Sequence, residues 1–240
     1  MKNQIHTLPV LDALREPEHC PFCVMRRELE RKAVGFIMGP AYMEDDVRME
    51  TNRAGFCAAH LKQMYGGQNR LGLALMLHTF TQRLNRDIAG DMDAPAGKKT
   101  PGRAARLTAR LTAQTASCYL CARVEDTFTR YIDTFFMLWL TNREAAALVK
   151  AVPGYCLPHF TAVLAAAEEN IPKQRLTDFW DAVIPAQRLF MERMETDLEW
   201  FTLKFDYRNI NEPWKNAKDA LPRAMALLGG GAADKPAGEV

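Results

Sequence analysis

Apolar residues recur every three or four positions over long stretches of this chain, which is the spacing of one face of an α-helix. In the second half the recurring positions are Val124, Phe128, Tyr131, Ile132, Phe135 and Trp139. Two further stripes of this kind are Leu73, Leu77, Phe80, Leu84 and Ile88, and Leu176, Phe179, Val183, Phe190, Met194, Leu198 and Phe201. No comparable stretch alternates with the period of two that is typical of a β-strand. The pattern predicts an all-α protein.

Glycine and proline mark the ends of these predicted helices. Gly55 and Gly154 can each end a short helix in a left-handed conformation. Gly66-Gly67 and Pro172 are expected to end the next short helices. Pro185 predicts a kink in the longest one.

Cysteine and histidine motifs repeat along the chain in the same order. Cys20 and Cys23 form a CxxC motif, and 33 residues separate it from the CxxH motif that begins at Cys57. A second CxxC ends at Cys121, and 34 residues separate it from the CxxH that begins at Cys156. A glycine and an aromatic residue precede each CxxH. The repetition indicates an ancient duplication and predicts two tandem helical repeats related by approximate twofold pseudo-symmetry.

Composition divides the chain near residue 100, where a segment rich in proline, glycine and lysine (APAGKKTPG) separates the two halves. The predicted organisation is a first zinc-binding repeat over residues 1–93, a basic linker with the start of a helix over 94–114, a second zinc-binding repeat over 115–205, a C-terminal arm with a short helix over 206–228 and a disordered tail over 229–240.

The repeated motifs supply the ligands that zinc prefers. Zinc takes four sulfur or nitrogen ligands in a tetrahedron, and residues three apart on the first turn of a helix can grip one ion. The sequence therefore predicts two sites of three cysteines and one histidine, one in each half. Their ligands are Cys20, Cys23, Cys57 and His60, and Cys118, Cys121, Cys156 and His159. His19, beside Cys20, is an alternative ligand in place of His60.

Proline placement suggests that the ligands lie at helix N-termini. Pro21 follows Cys20 and Pro158 lies within the second CxxH, and proline is tolerated in the first turn of a helix. Three thiolates and a neutral imidazole around Zn²⁺ leave a net charge of about −1, which the N-terminal N–H groups of a helix stabilise. A site with four protein ligands is closed, so we expect both ions to be structural and not catalytic.

Two other uses of the cysteines remain open: an iron–sulfur cluster and thiol–disulfide chemistry. The sequence from Cys20 to Cys23 (CPFC) resembles a thioredoxin-type redox pair. No βαβ pattern surrounds it, and Tyr119 stands where the second copy would have the proline. Zinc is therefore the main prediction.

Two surfaces could bind a partner. Basic residues without intervening acids surround the linker and make nucleic-acid binding an alternative function; they are Lys98, Lys99, Arg103, Arg106, Arg110 and Arg123. The C-terminal arm combines aromatic and basic groups, and its possible ligand-binding residues are Tyr207, Arg208, Trp214 and Lys215. Function is expected in a groove between the halves or beside this arm, as binding of an unknown protein or small molecule.

Composition is that of an ordinary globular protein, with 48% hydrophobic and 25% charged residues and a net charge of +2. The N-terminal sequence lacks the features of a secretory signal, and no apolar run approaches the 18 or more residues that a membrane span needs. All six cysteines fall in metal-type motifs, as expected in a reducing compartment. These features predict a soluble cytoplasmic protein.

The paired motifs, together with MERMETDLEWFTLKFDYRN and PWKNAKDALPRA near the C-terminus, resemble an uncharacterised bacterial family of the Firmicutes type that is known only as a domain of unknown function. The resemblance covers about residues 15–228. It implies a helical, cytoplasmic, metal-binding protein and no particular activity.

Overall fold

The computed structural model describes residues 4–16, 20–93 and 102–231, and no strand occurs among these residues. The predicted all-α fold is confirmed. The helices are α1 (Gln4–Leu14), α2 (Pro21–Met38), α3 (Asp45–Ala54), α4 (Ala58–Gly66), α5 (Arg70–Met92), α6 (Arg103–Thr115), α7 (Tyr119–Thr141), α8 (Arg143–Ala151), α9 (Leu157–Asn170), α10 (Lys173–Leu203) and α11 (Ala220–Gly229), with short 3₁₀ turns at Pro40–Met43 and Tyr207–Asn209. His19, linker residues 94–101 and tail residues 232–240 lie outside the described residues.

The chain forms two compact units. Unit 1 contains Met1–Glu28 and Phe128–Val240, and unit 2 contains Leu29–Thr127. The divisions fall within α2 and α7, so each of these helices supplies residues to both units. Among the described residues, unit 1 therefore consists of two separate segments of the sequence, whereas unit 2 is one continuous segment.

Aromatic side chains of α7 and α10 form the core of unit 1. Phe179 of α10 is fully buried, and its ring lies 5.6 Å from Phe136 and 5.3 Å from Trp139 of α7. Phe135 packs edge-to-face on Phe136 at 5.1 Å. These rings bury large apolar areas, and their geometry adds about 0.5–1.5 kcal/mol for each pair. The predicted apolar face of α7 is the face that the structure buries.

Helix α5 is the centre of unit 2, where it packs against α3, α4 and α6. Of the predicted apolar stripe, Leu73 is buried and the other four residues are half-buried. His78 of the same helix is exposed. The stripe is therefore the packing face of α5.

Two glycines precede the CxxH motifs for different reasons. Gly55 ends α3 with a positive φ of 66° but with extended ψ of −159°, a combination that favours glycine. For Gly154 the predicted left-handed conformation is wrong, because its φ is not positive and α8 already ends at Ala151. Gly154 is instead pressed against Phe190 of α10, since a Cβ atom there would lie 2.3 Å from the ring.

Other predicted helix ends agree with the structure. Helix α4 ends at Gly66, with Gly67 as its C-cap, and α9 ends just before Pro172. Helix α10 continues through Pro185 to Leu203. Helix α11 ends at Gly229, so the first residue of the predicted tail belongs to this helix.

Candidate metal centres

Every CxxC and CxxH motif of this chain lies at the N-terminus of a helix. Cys57 and Cys156 are the N-cap residues of α4 and α9, which places each motif's histidine in the first turn. Cys20 directly precedes α2 and Cys118 directly precedes α7, with the second cysteine of each CxxC in the first turn. The predicted position of the ligands at helix starts is confirmed.

The eight predicted ligands form two groups, and within each group all four ligand atoms lie within 4.8 Å of one another. The first site consists of Cys20, Cys23, Cys156 and His159. The second site consists of Cys57, His60, Cys118 and Cys121. The first lies within unit 1 and the second within unit 2.

The predicted pairing of the motifs is therefore wrong, although all eight residues take part. We expected each CxxC to join the CxxH of its own half, as Cys20 and Cys23 with Cys57 and His60. In the structure, each CxxC instead joins the CxxH of the other half. Along the sequence, all four ligands of the second site therefore lie between the CxxC and the CxxH of the first site. Equal spacing within the halves could not reveal this, because spacing along the chain does not show which helices pack together.

Local contacts explain the exchange. The N–H of Tyr119, the first residue of α7, donates to the carbonyl of Gly55 at 2.9 Å, just before α4. In the first site, Phe22 of α2 packs on Tyr155 at 5.9 Å and on His159 at 5.8 Å. These contacts bring α7 to α4 and α2 to α9.

Distances in the first site are close to those around a tetrahedral ion. Nδ1 of His159 lies 3.1 Å from Sγ of Cys156 and 3.3 Å from Sγ of Cys23, and these two sulfurs are 3.5 Å apart. Sγ of Cys20 is 3.7 Å from the same nitrogen. Zinc bonds of about 2.3 Å to sulfur and about 2.0 Å to nitrogen give tetrahedron edges of about 3.5–3.8 Å. The donor set fits one such ion.

The second site has similar dimensions. Nδ1 of His60 lies 3.3 Å from Sγ of Cys57, 3.3 Å from Sγ of Cys118 and 3.4 Å from Sγ of Cys121. The Cys57 and Cys121 sulfurs are 3.7 Å apart. A disulfide requires about 2.05 Å, and all six cysteines of the chain are free.

Helix N-termini and neighbouring thiols shift the acidity of the cysteines. Burial alone would raise the pKa of Cys57, but backbone N–H groups at the start of α4 and the adjacent thiols lower it overall. Burial and its neighbours Cys118 and Cys57 raise the pKa of Cys121 to about 12. Three thiols this close do not all ionise unless a cation compensates their charge. The second site therefore suits a cation.

The first site shows the same competition. Hydrogen bonds with Cys156 and Cys23, together with burial, raise the pKa of Cys20 well above its usual range. Hydrogen bonds with Cys156 and Cys20 lower the pKa of Cys23. Burial lowers the pKa of His159, yet its hydrogen bonds to Cys156 and Cys23 outweigh this effect and raise the pKa to about 9. A divalent cation would compete with these protons for the ligands.

Gln187 of α10 is a supporting residue that the sequence analysis missed. It is 2% exposed, its Oε1 accepts from the N–H of Tyr155 at 2.7 Å, and its Nε2 donates to the carbonyl of Tyr155 at 3.0 Å. Both bonds hold the backbone directly before Cys156. The sequence does contain an indication of this buried role, because Gln187 is a polar residue four positions after Val183, within the apolar stripe of α10.

Three of the four residues in the predicted binding surface on the arm make contacts within the chain. Trp214 packs on Phe201 at 5.8 Å, and the Lys215 ammonium lies 4.1 Å from the Trp200 ring. Arg208 forms an ion pair with an aspartate two residues earlier, at 2.6 Å. Tyr207, in contrast, is 83% exposed.

A second residue that the sequence analysis missed organises the arm. Lys204 is only 7% exposed, and its ammonium donates to the carbonyls of Asn209, Ile210 and Glu212 at 2.7, 3.0 and 2.5 Å. Its ammonium also lies 5.3 Å from the Trp214 ring. The chain after α10 is therefore folded around one buried charge.

Arginines of the predicted basic surface contact α5. Arg106 forms an ion pair with Asp91 at 2.9 Å, and Arg103 donates to the carbonyls of Asp91 and Met92. Arg110 donates to the carbonyl of Asp87. These positive groups lie at the last turns of α5, where the helix dipole favours them.

An apolar groove of about 640 Å³ lies among α9, α10 and α11 of unit 1. Its walls include Leu157, Phe160, Ile184, Met191, Leu198 and Leu228. Arg188, Glu192 and Glu195 supply its charged groups. Ile184, Met191 and Leu228 are each exposed by 45% or more, so this surface offers apolar area to a ligand.

Fold and sites together define an all-helical protein with two groups of three cysteines and one histidine that could hold metal ions. The chain belongs to a family of unknown function, DUF6062, whose sequence model matches residues 1–235. A search of curated proteins finds no match, and a search of solved structures finds none. Among the described residues, no helix combines the length and the apolar character that crossing a membrane requires.

Proposed function

We propose that this protein is a zinc-dependent helical binding module, with two structural zinc ions in each chain. The observation that supports zinc is that the N-termini of four helices meet in two pairs. At each pair, four ligand atoms lie within 4.8 Å of one another. Zinc supplies a dication that holds three thiolates and an imidazole together. The residues that would hold the ions are Cys20, Cys23, Cys156 and His159, and Cys57, His60, Cys118 and Cys121.

Ligand spacing supports a single ion at each site over an iron–sulfur cluster. A cluster distributes its cysteines over several iron atoms, whereas ligand atoms within 4.8 Å suit one tetrahedral metal. Four protein ligands also support a structural role over a catalytic one, since a catalytic zinc keeps a position open for water or substrate. Thiolate donation further weakens the ion as a Lewis acid.

Each ion would stabilise a different unit of the protein. An ion in the second site would join α4 to α7 within unit 2, and an ion in the first site would join α2 to α9 within unit 1. Metal binding then contributes directly to the folding free energy of each unit.

The apolar groove supports the binding role. It lies beside Leu157, the residue that follows the ligand Cys156, so the first site would fix one wall of the groove. The proposed occupant is an unknown protein segment or small molecule with an apolar surface. Cysteines placed in metal sites also suit a reducing compartment, and we propose the cytoplasm.

Two alternatives receive less support. Nucleic-acid binding through the basic linker would need the arginines that contact α5, among them Arg103 and Arg106. Redox cycling of Cys20 with Cys23 would need a CxxC pair that acts alone, yet both thiols are grouped with Cys156 and His159.

Metal analysis of anaerobically purified protein tests the zinc. We expect two zinc ions per chain without visible absorbance, and the loss of one ion in Cys57→Ser and in Cys156→Ser. His78→Gln is the matched control, because His78 is exposed and outside both sites. Absorbance near ~400 nm would indicate an iron–sulfur centre; metal-free protein with reactive thiols would support the redox alternative.

A further inference from the structure

Each site contains three cysteines and one histidine, but the two sites differ in their access to solvent. In the first site Cys23 and Cys156 are buried, and Cys20 and His159 are half-buried. In the second site His60 and Cys118 are buried, Cys57 is half-buried and Cys121 is exposed. Because the residue types of the two ligand sets are the same, exposure is a property that would make one site react before the other.

Several groups cover the first site. The N–H of Gly231, just beyond α11, donates to Sγ of Cys23 at 3.3 Å. A Cβ atom on Gly230 would lie 3.6 Å from Sγ of Cys156, so the backbone itself lies against this second ligand. The rings of Phe22 and Phe128 lie 5.8 and 5.5 Å from His159. An oxidant must displace part of this cover to reach the sulfurs of Cys23 and Cys156.

The second site contains one exposed and one half-buried cysteine whose sulfurs lie close together. Cys121 is exposed on the first turn of α7, and its Sγ lies 3.7 Å from Sγ of the half-buried Cys57. The two residues come from different helices, so a bond between them removes one ligand from each of the two chelating motifs. Zinc would then keep only two of its four protein ligands, fewer than a structural zinc site uses.

We propose that Cys57 and Cys121 form an oxidation site, at which a peroxide converts the two thiolates into a disulfide and frees the ion of the second site. The proposal rests on the proposed zinc. The Cys121 thiolate attacks one oxygen of hydrogen peroxide, the O–O bond breaks, and sulfenic acid and hydroxide form. The Cys57 thiolate then attacks that sulfur, the S–S bond forms and a second hydroxide leaves. Two thiolates lose two electrons, and the peroxide gains them.

Zinc release from the full-length, zinc-loaded protein tests the proposal. Hydrogen peroxide is added in the presence of a chromophoric zinc indicator, and we expect one ion per chain to leave at least about tenfold faster than the other. Cys156→Ser, which retains the second site, should release its ion rapidly. Cys57→Ser, which retains the first site, should release its ion slowly. In Cys121→His, an imidazole replaces the exposed thiol and cannot form a disulfide with Cys57. If this variant still binds zinc in the second site, it should also release that ion slowly.

Peptide mapping identifies the bond that forms. After brief oxidation, a trypsin digest should contain residues 54–62 linked to residues 111–123, and fragmentation should place the link between Cys57 and Cys121. Equal release rates from the two sites, faster release from the first site, or a disulfide between Cys118 and Cys121 would each overturn the proposal. Protein that contains no zinc before oxidation would instead refute the proposed function, so the two failures are distinguishable.

Discussion

Replacing Gln187 with methionine isolates the support that α10 gives to the first metal site. Gln187→Met preserves the length of the side chain but removes both hydrogen bonds to the backbone of Tyr155. Both residues are almost fully buried, at 2% and 1% exposure, so water does not readily replace the lost partner. The Tyr155 N–H and carbonyl are then left unsatisfied inside unit 1.

The expected cost follows from these two groups. An unsatisfied buried backbone group costs about 1–3 kcal/mol, and methionine recovers part of this by filling the space with apolar atoms. We therefore expect a loss of about 2–4 kcal/mol, which lowers the thermal midpoint by about 5–15 °C in a chain of this size. Tyr155 precedes Cys156, so zinc in the first site should also become easier to remove with a chelator.

Thermal unfolding followed by circular dichroism, with zinc retention measured in parallel, checks this prediction. Gln174→Met is the control, because Gln174 is exposed on the same helix and its replacement should change stability by less than ~0.5 kcal/mol. If both variants unfold at the wild-type temperature and retain zinc equally, Gln187 does not support the site.

Two further substitutions test packing elsewhere in unit 1. Gly154→Ala should destabilise the protein by about 1–3 kcal/mol in chemical denaturation, because the new methyl group overlaps the ring of Phe190; Gly66→Ala, with open space around its Cβ position, should not destabilise it comparably. Lys204→Met should loosen the arm and change its tryptophan fluorescence, since three carbonyls lose their donor, whereas the exposed Lys218→Met should leave the fluorescence unchanged. Equal behaviour of either substitution and its control would contradict the corresponding contact.

Helical class and ligand identity could be predicted from the sequence because they depend on local information. The apolar spacing of α7 reports the face that it buries, and Pro21 and Pro158 mark helix starts through the geometry of a single residue. A CxxH on the first turn of a helix brings its two ligands together whatever the rest of the chain does.

Pairing of the motifs depends on tertiary packing and could not be predicted in this way. Which CxxC meets which CxxH depends on contacts such as that between Tyr119 and Gly55, 64 positions apart. Gly154 illustrates the same limit, because its close contact with Phe190 joins the segment between α8 and α9 to α10. The approximate twofold relation between the repeats stays a prediction.

Double cysteine variants test the exchanged pairing of the CxxC and CxxH motifs. Cys23→Ser with Cys156→Ser removes two ligands from the first site alone and should leave one zinc per chain. Cys23→Ser with Cys57→Ser removes one ligand from each site and should leave no tightly bound zinc. Metal analysis of both proteins, beside the single variants, gives the comparison. If the first protein loses both ions and the second retains one, each CxxC binds with the CxxH of its own half, and the exchanged arrangement is wrong.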